Sequence, residues 1–205
     1  MRLSLKALFA LMIAGVLFTA CNKDEDDDKD DPKPVASAIQ YNGQSYEIKH
    51  AILENYGEWN PGVYQLDLTL LNDGFTIHTS NGEIDSLSGT GSAIYFELFT
   101  TQSNALDNIT YTLDTVNIGA AGTFDYGDIL INFNMETWEG LWIEMSEGTL
   151  VVAKSGDTYE FTVNVKDAAG KTLTASYKGS VDYYNYDTKS GAPKANRRLW
   201  PGLKG

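Results

Sequence analysis

Tryptophan is the residue type best placed for specific chemistry in this 205-residue chain, which carries four of them. Two lie in Glu136-Thr137-Trp138-Glu139-Gly140-Leu141-Trp142-Ile143-Glu144. On a β-strand both would project from one face with Gly140 between them, leaving Glu139, Leu141 and Ile143 on the other. Trp59 stands in Glu58-Trp59-Asn60-Pro61-Gly62, which reads as a loop. Flat rings flanked by carboxylates stack on sugar rings while the acids bond the hydroxyls. The same rings also fill core volume with one polar handle. Packing in the core or between sheets is the first expectation for Trp138 and Trp142. The second is a glycan or small-ligand platform of Trp59, Trp138, Trp142, Glu139 and Glu144.

Other chemistries have weaker support. His50 and His78 are the only histidines and show neither His-x-His nor His-Glu-x-x-His spacing, so surface or strand positions without a metal are expected. No Gly-x-Ser-x-Gly elbow, phosphate loop or dinucleotide fingerprint is present, and Gly89-Thr90-Gly91-Ser92 reads as a glycine-rich loop. Glu136, Glu139, Glu144 and Glu147 crowd one hairpin region. A glycosidase needs two carboxylates about 5–9.5 Å apart, so a carboxylate-dependent hydrolase is an alternative, behind a non-catalytic role that needs no cofactor. Asp125-Tyr126-Gly127-Asp128 has oxygens that calcium would accept but not the alternating spacing of a calcium loop, and a plain turn is expected there.

The elements that must position these side chains are strands. Tyr64, Leu66, Leu68 and Leu70 alternate with Gln65, Asp67 and Thr69, and Tyr159, Phe161, Val163 and Val165 alternate with Glu160, Thr162 and Asn164. Similar alternation occurs in residues 94–98, 109–113, 129–133 and 173–177. Period two predicts antiparallel strands with one buried and one wet face. Asn42-Gly43 predicts a two-residue hairpin, and Asn72-Asp73-Gly74, Asn81-Gly82, Gly156 and Gly170 mark further turns. No convincing amphipathic helix is present, the best candidate, residues 50–55, being short, and Tyr183-Tyr184-Asn185-Tyr186 reads as a closing strand. Nine or ten strands at this spacing predict an all-β domain over residues 35–187, an antiparallel two-sheet β-sandwich with a β-barrel as the alternative.

Both ends differ from this domain. Arg2 and Lys6 precede the apolar run Ala7–Phe18, and Thr19-Ala20 precede Cys21, the only cysteine, so residues 1–20 read as a signal peptide. Residues 22–34 hold seven acidic residues, three lysines and two prolines and predict an extended tether reaching at most about 40 Å. Residues 188–205 carry five basic residues and no acidic one, with Leu199-Trp200-Pro201, and read as a flexible tail or as a basic strap for the acidic domain or a partner. The chain has a formal charge of −13. Residues 35–187 hold five lysines, no arginine and 21 acidic residues, a net −16. That balance argues against nucleic acid, whose binding rests on neutralising phosphates.

Leu17-Phe18-Thr19-Ala20-Cys21 resembles a bacterial lipobox, with Phe18 where the family more often has leucine. Asn22 followed by Lys23, Asp24, Glu25 and Asp26 resembles the acidic export signal of Bacteroidota surface lipoproteins. The resemblance covers about 30 residues. It implies acylation of Cys21, a membrane attachment through that lipid, and an outer-membrane address, facing the exterior or alternatively the periplasm. The run from Gly148 to Tyr184 is similar to the C-terminal part of sandwich-like and calycin-like barrel domains in such lipoproteins. The expected role is binding a glycan or small ligand, with a structural or assembly partner of the cell surface as the alternative.

Overall fold

A computed structural model describes residues 37–187. The expected signal peptide of residues 1–20, Cys21, the expected export signal of residues 23–26 and the basic tail of residues 188–205 lie outside the described residues. Twelve strands and no helix occur among those described. They are β1 (Ala38–Tyr41), β2 (Gln44–Glu47), β3 (His50–Asn60), β4 (Val63–Leu71), β5 (Phe75–Ser80), β6 (Glu83–Thr100), β7 (Thr110–Leu113), β8 (Thr123–Asn134), β9 (Leu141–Ser155), β10 (Thr158–Asp167), β11 (Thr172–Gly179) and β12 (Asp182–Asn185).

Turn chemistry sets the hairpins where the sequence says it should. Asn42 and Gly43 adopt φ of 57° and 74°, and Asn81 and Gly82 adopt 54° and 76°. These paired positive values are what a two-residue hairpin matched to strand twist requires. The strands join in the order β12-β3-β4-β6-β8-β7-β9-β10-β11-β1-β2, and β5 pairs with β6 off this path. Most neighbours are antiparallel; β12 runs parallel to β3, and β7 runs parallel to β8.

The sheet is strongly curled into a half-barrel, as the sandwich-or-barrel expectation required. The curl is visible in the core. Ile39 of β1, Leu53 of β3, Phe96 of β6, Ile129 of β8 and Phe161 of β10 belong to one buried cluster, although β3 and β1 stand near opposite ends of the sheet order. Strands β10 and β11 keep the simple rule: Tyr159, Phe161, Val163 and Val165 point inward, and Glu160, Thr162 and Asn164 are exposed.

The central strands break that rule, because a hairpin covers their outer face. Strand β6 pairs with β5 through its first half and with β4 and β8 through its second. The bend falls near Gly89 and Gly91, and the β5–β6 hairpin folds over the outer face. Phe75, Leu87, Ile77 and Ile84 of the hairpin pack there with Ile52, Tyr95, Leu130 and Phe133 in a second buried cluster. The alternating polar residues Gln65, Asp67 and Thr69 are therefore buried rather than wet.

Three local expectations change, and the weak helix candidate resolves as strand. Residues 50–55 are strand, not helix: a strand buried on both faces reads as a continuous apolar run whose period does not separate the two. Asp125–Asp128 lie inside β8 rather than in a turn, Gly89–Ser92 form the bend of β6 rather than a loop, and Trp59 lies at the end of β3 rather than in a loop.

Candidate functional site

Asn134 closes strand β8 and organises the loop that presents the tryptophans. Its side-chain oxygen accepts from the backbone N–H of Glu136 and Thr137 at 2.8 and 2.9 Å. Its backbone N–H donates to the Glu139 carbonyl at 2.7 Å, and its carbonyl accepts from Trp138 N–H at 2.9 Å. This tight closure holds Trp138 at φ +61° in the left-handed region, and strand β9 begins only at Leu141. Trp138 is thus on a loop rather than on the strand. Its ring nevertheless stacks on Trp142, with centroids 6.4 Å apart and planes 18° from parallel. Both rings meet Phe133 edge to face, at 6.1 and 5.7 Å, a favoured aromatic geometry.

The outcome lies between core and surface. Trp142 is half-buried against the second cluster, whereas Trp138 is 43% exposed. Glu139 is exposed on the same loop, and Glu144 is exposed on the Trp142 face of β9, opposite Asp128. These four residues share one region. Trp59 does not belong to it. Its ring packs on Phe99 at 5.6 Å, and its indole occupies the space that a side chain at Gly119 would need. Phe99 pairs with Thr123 while Gly91 pairs with Phe133, so the two aromatic sites are separated by eight residues along β6, roughly 26 Å.

Gly140 locks the loop against the sheet. Its φ is +133°, and a Cβ there would fall 2.5 Å from Phe133 Cα. Gly140→Ala is expected to displace the loop, separate the two indoles and lower thermal stability. Thermal unfolding together with near-UV circular dichroism of the tryptophans checks this; an unchanged near-UV spectrum and melting temperature would count against the geometry.

A second constellation was invisible in the sequence. Glu54 pairs with Asp67, Asp67 with Glu97, and Glu97 with Tyr126, so three acids occupy one row on adjacent strands. Directly opposed side chains of this kind have Cβ atoms about 5 Å apart. Thr69, Tyr95 and Asp128 form the next row. Glu54, Asp67, Glu97 and Asp128 are 2%, 2%, 9% and 1% exposed. Tyrosines supply most of the donors. Tyr95 donates to Asp67 in a short bond, Tyr126 to Asp128 at 2.5 Å and Tyr56 to Glu54 at 3.3 Å. Tyr186 also hydrogen-bonds Glu54, and Gln65 Nε2 donates to Asp67 at 3.2 Å.

Glu54 Oε2, Gln65 Oε1 and the Thr69 hydroxyl are buried without a hydrogen-bond partner among the described residues. The five lysines of the described residues have partners elsewhere. Lys49, Lys166 and Lys178 pair with Glu47, Glu147 and Glu160, while Lys154 and Lys171 lie over the rings of Tyr159 and Tyr41. His50 faces Asp73 and His78 faces Ser88. Among the described residues no three histidine, cysteine or acidic side chains group as they would around a metal ion. Burial pushes the Glu54 carboxyl up to about 7, against hydrogen bonds from Tyr186 and Tyr56 that lower it. Burial first, and then the charge of Glu97, hold Asp67 well above the ordinary carboxylate range. Glu54 and Asp67 therefore favour bound protons where an exposed acid would have lost them.

Comparison with known protein families, with curated proteins and with solved structures finds no match. The class that the fold and the site define is an all-β domain with an exposed indole braced on its outer face.

Proposed function

We propose that this chain is an outer-membrane lipoprotein, anchored through Cys21, whose β domain binds a saccharide or similar flat-faced small ligand. The site is the Trp138–Trp142 stack. The observation that carries the reading is the half-exposed Trp138 ring, held in place by Trp142 and Phe133 rather than folded into the core. A ring braced in this way loses little conformational freedom when a sugar face covers it. Glu139 and Glu144 supply acceptors for hydroxyl groups at its edge, and the acidic domain repels anionic ligands, which favours a neutral glycan.

Titration of intrinsic tryptophan fluorescence with a panel of soluble neutral oligosaccharides tests the site. Binding should quench or shift the emission, and Trp138→Ala should weaken it about tenfold, the equivalent of one stacked aromatic contact. Because Trp138 is partly exposed, the same variant should move the melting temperature little. A panel that leaves the emission unchanged would remove the reading.

A further inference from the structure

We propose that the cleft between the β9–β10 hairpin and strand β12 is a binding site for a free α-amino acid with an apolar side chain, its carboxylate on Lys154 and its ammonium on Asp157. The site is separate from the Trp138–Trp142 stack, and the inference does not rest on ligand binding there.

Strand β9 carries the first sign. Leu150 and Val152 are buried in the main core cluster, and Lys154 is the next residue on that same face. The register repeats the point across the hairpin, since Lys154 pairs with Tyr159, whose ring begins the buried face of β10. A lysine therefore stands where the alternation calls for an apolar side chain. Its ammonium lies over the Tyr159 ring, 4.9 Å from the centroid, close enough for the ring to hold it. Tyr159 is itself fixed. It stacks on Phe161 at 5.4 Å, and Phe161 stacks on Tyr177 at 6.0 Å. The Tyr177 hydroxyl donates to the Ser180 carbonyl at 2.5 Å and so ties down the connection from β11 to β12.

That connection and β12 form the facing wall. Leu53 of β3 pairs with Tyr183 of β12. With Val181 they line a cleft of about 240 Å³ whose other wall is Lys154, Asp157 and Tyr159. Tyr183 hydrogen-bonds Asn55, and Asn55 Nδ2 donates to Asn185 Oδ1 at 3.0 Å, so this ring too is held before a ligand arrives. Asn104 and Ser180 add neutral polar groups to the lining. The volume lies below the roughly 300–1,000 Å³ of pockets for drug-sized ligands, which suits an occupant the size of one amino acid. The chemistry of the walls sets its class. Lys154 and Asp157 put opposite charges at one cleft, and Leu53, Val181 and two tyrosine rings supply an apolar bed. A zwitterion with an aliphatic or aromatic side chain meets all three. A simple carboxylate would meet Lys154 alone, and it would approach a domain of five lysines and 21 acidic residues against the field. A zwitterion has no net charge to repel, and its two ends make charge-assisted hydrogen bonds, the stronger kind.

Isothermal titration calorimetry of the full chain with L-leucine and L-phenylalanine tests the site. Each should bind at a single site per chain. L-Leucinamide, which lacks the carboxylate, and N-acetyl-L-leucine, which lacks the ammonium, should each bind at least about tenfold more weakly than L-leucine. Lys154→Met keeps an unbranched stem over Tyr159 and should weaken L-leucine by a similar factor. The position is exposed, so the variant should melt like the wild type. Asp157→Asn is the second variant should the first not fold, with the same loss expected. Trp138→Ala should leave the affinity unchanged, which keeps this site distinct from the indole stack. No heat with either amino acid at millimolar concentration, N-acetyl-L-leucine or L-leucinamide bound as tightly as L-leucine, a folded Lys154→Met protein with wild-type affinity, or an affinity lost with Trp138 would each overturn the proposal.

Discussion

Raising the pH from 5 to 8 is expected to lower the melting temperature of this domain by roughly 10 °C, the reverse of the usual acid sensitivity of carboxylates. Glu54 is the source with the firmest size. Its carboxyl is pushed from an ordinary 4.5 to about 7, chiefly by burial. A folded-state value above the unfolded one means that the folded chain holds a proton the unfolded chain has released. The associated stability is complete below pH 4.5 and is lost as pH rises through about 7. The shift corresponds to roughly 3 kcal/mol. Asp67 acts in the same direction. Asp107 and Asp114 are lowered, Asp107 by hydrogen bonds from Thr100 and Thr101 that outweigh its burial and Asp114 by bonds from Asn117 and Val116. Their contribution is complete above pH 4 and lost below it, so it leaves the window from 5 to 8 untouched and places the stability maximum near pH 5. Glu54→Gln should flatten the fall and melt above the wild type at pH 8. Calorimetry of both proteins at pH 5, 6, 7 and 8 measures this, and a wild-type melting temperature that holds steady or climbs across that range defeats it.

The residues behind this effect explain where sequence reasoning succeeded and where it stopped. Strands β10 and β11 were legible because each has one wet face: Glu160, Thr162 and Asn164 mark the outside unambiguously. The Asn42-Gly43 and Asn81-Gly82 turns were legible because only a few residue types tolerate positive φ at two successive positions. The acid row was not. Asp67 in Gln65-Leu66-Asp67-Leu68-Thr69 has the pattern of a surface acid, and only the pairing register places it between Glu54 and Glu97. Register over several strands is a long-range property, as is the cover supplied by the hairpin from residues 75–89. The tryptophan site was half legible. The proximity of Trp138 and Trp142 follows from local sequence, but the loop set by Asn134 and Gly140 replaces the expected strand geometry. The separation of Trp59 depends on β6 running unbroken to Thr100.

Under the proposed lipid anchor, replacing Cys21 with alanine should remove the protein from the outer-membrane fraction altogether and abolish incorporation of labelled fatty acid. The expectation follows from how little else could hold it there. Each buried methylene contributes about 0.8 kcal/mol, one acyl chain alone binds only marginally, and two or more anchor stably. A domain with five lysines against 21 acidic residues gains nothing from anionic headgroups and is repelled by them. With no thiol at position 21 to acylate, the lipid-dependent cut cannot occur, and the chain should stay in the inner membrane with its leader or leave as a soluble form. Changing Lys23, Asp24, Glu25 and Asp26 to alanine instead should keep the lipid and the membrane fraction while removing the domain from the reach of protease added to intact cells. The two variants therefore separate anchoring from outward display. Outer-membrane recovery of the Cys21→Ala protein at wild-type level would show that contacts other than acyl chains hold it, and the membrane role proposed for position 21 would have to be abandoned.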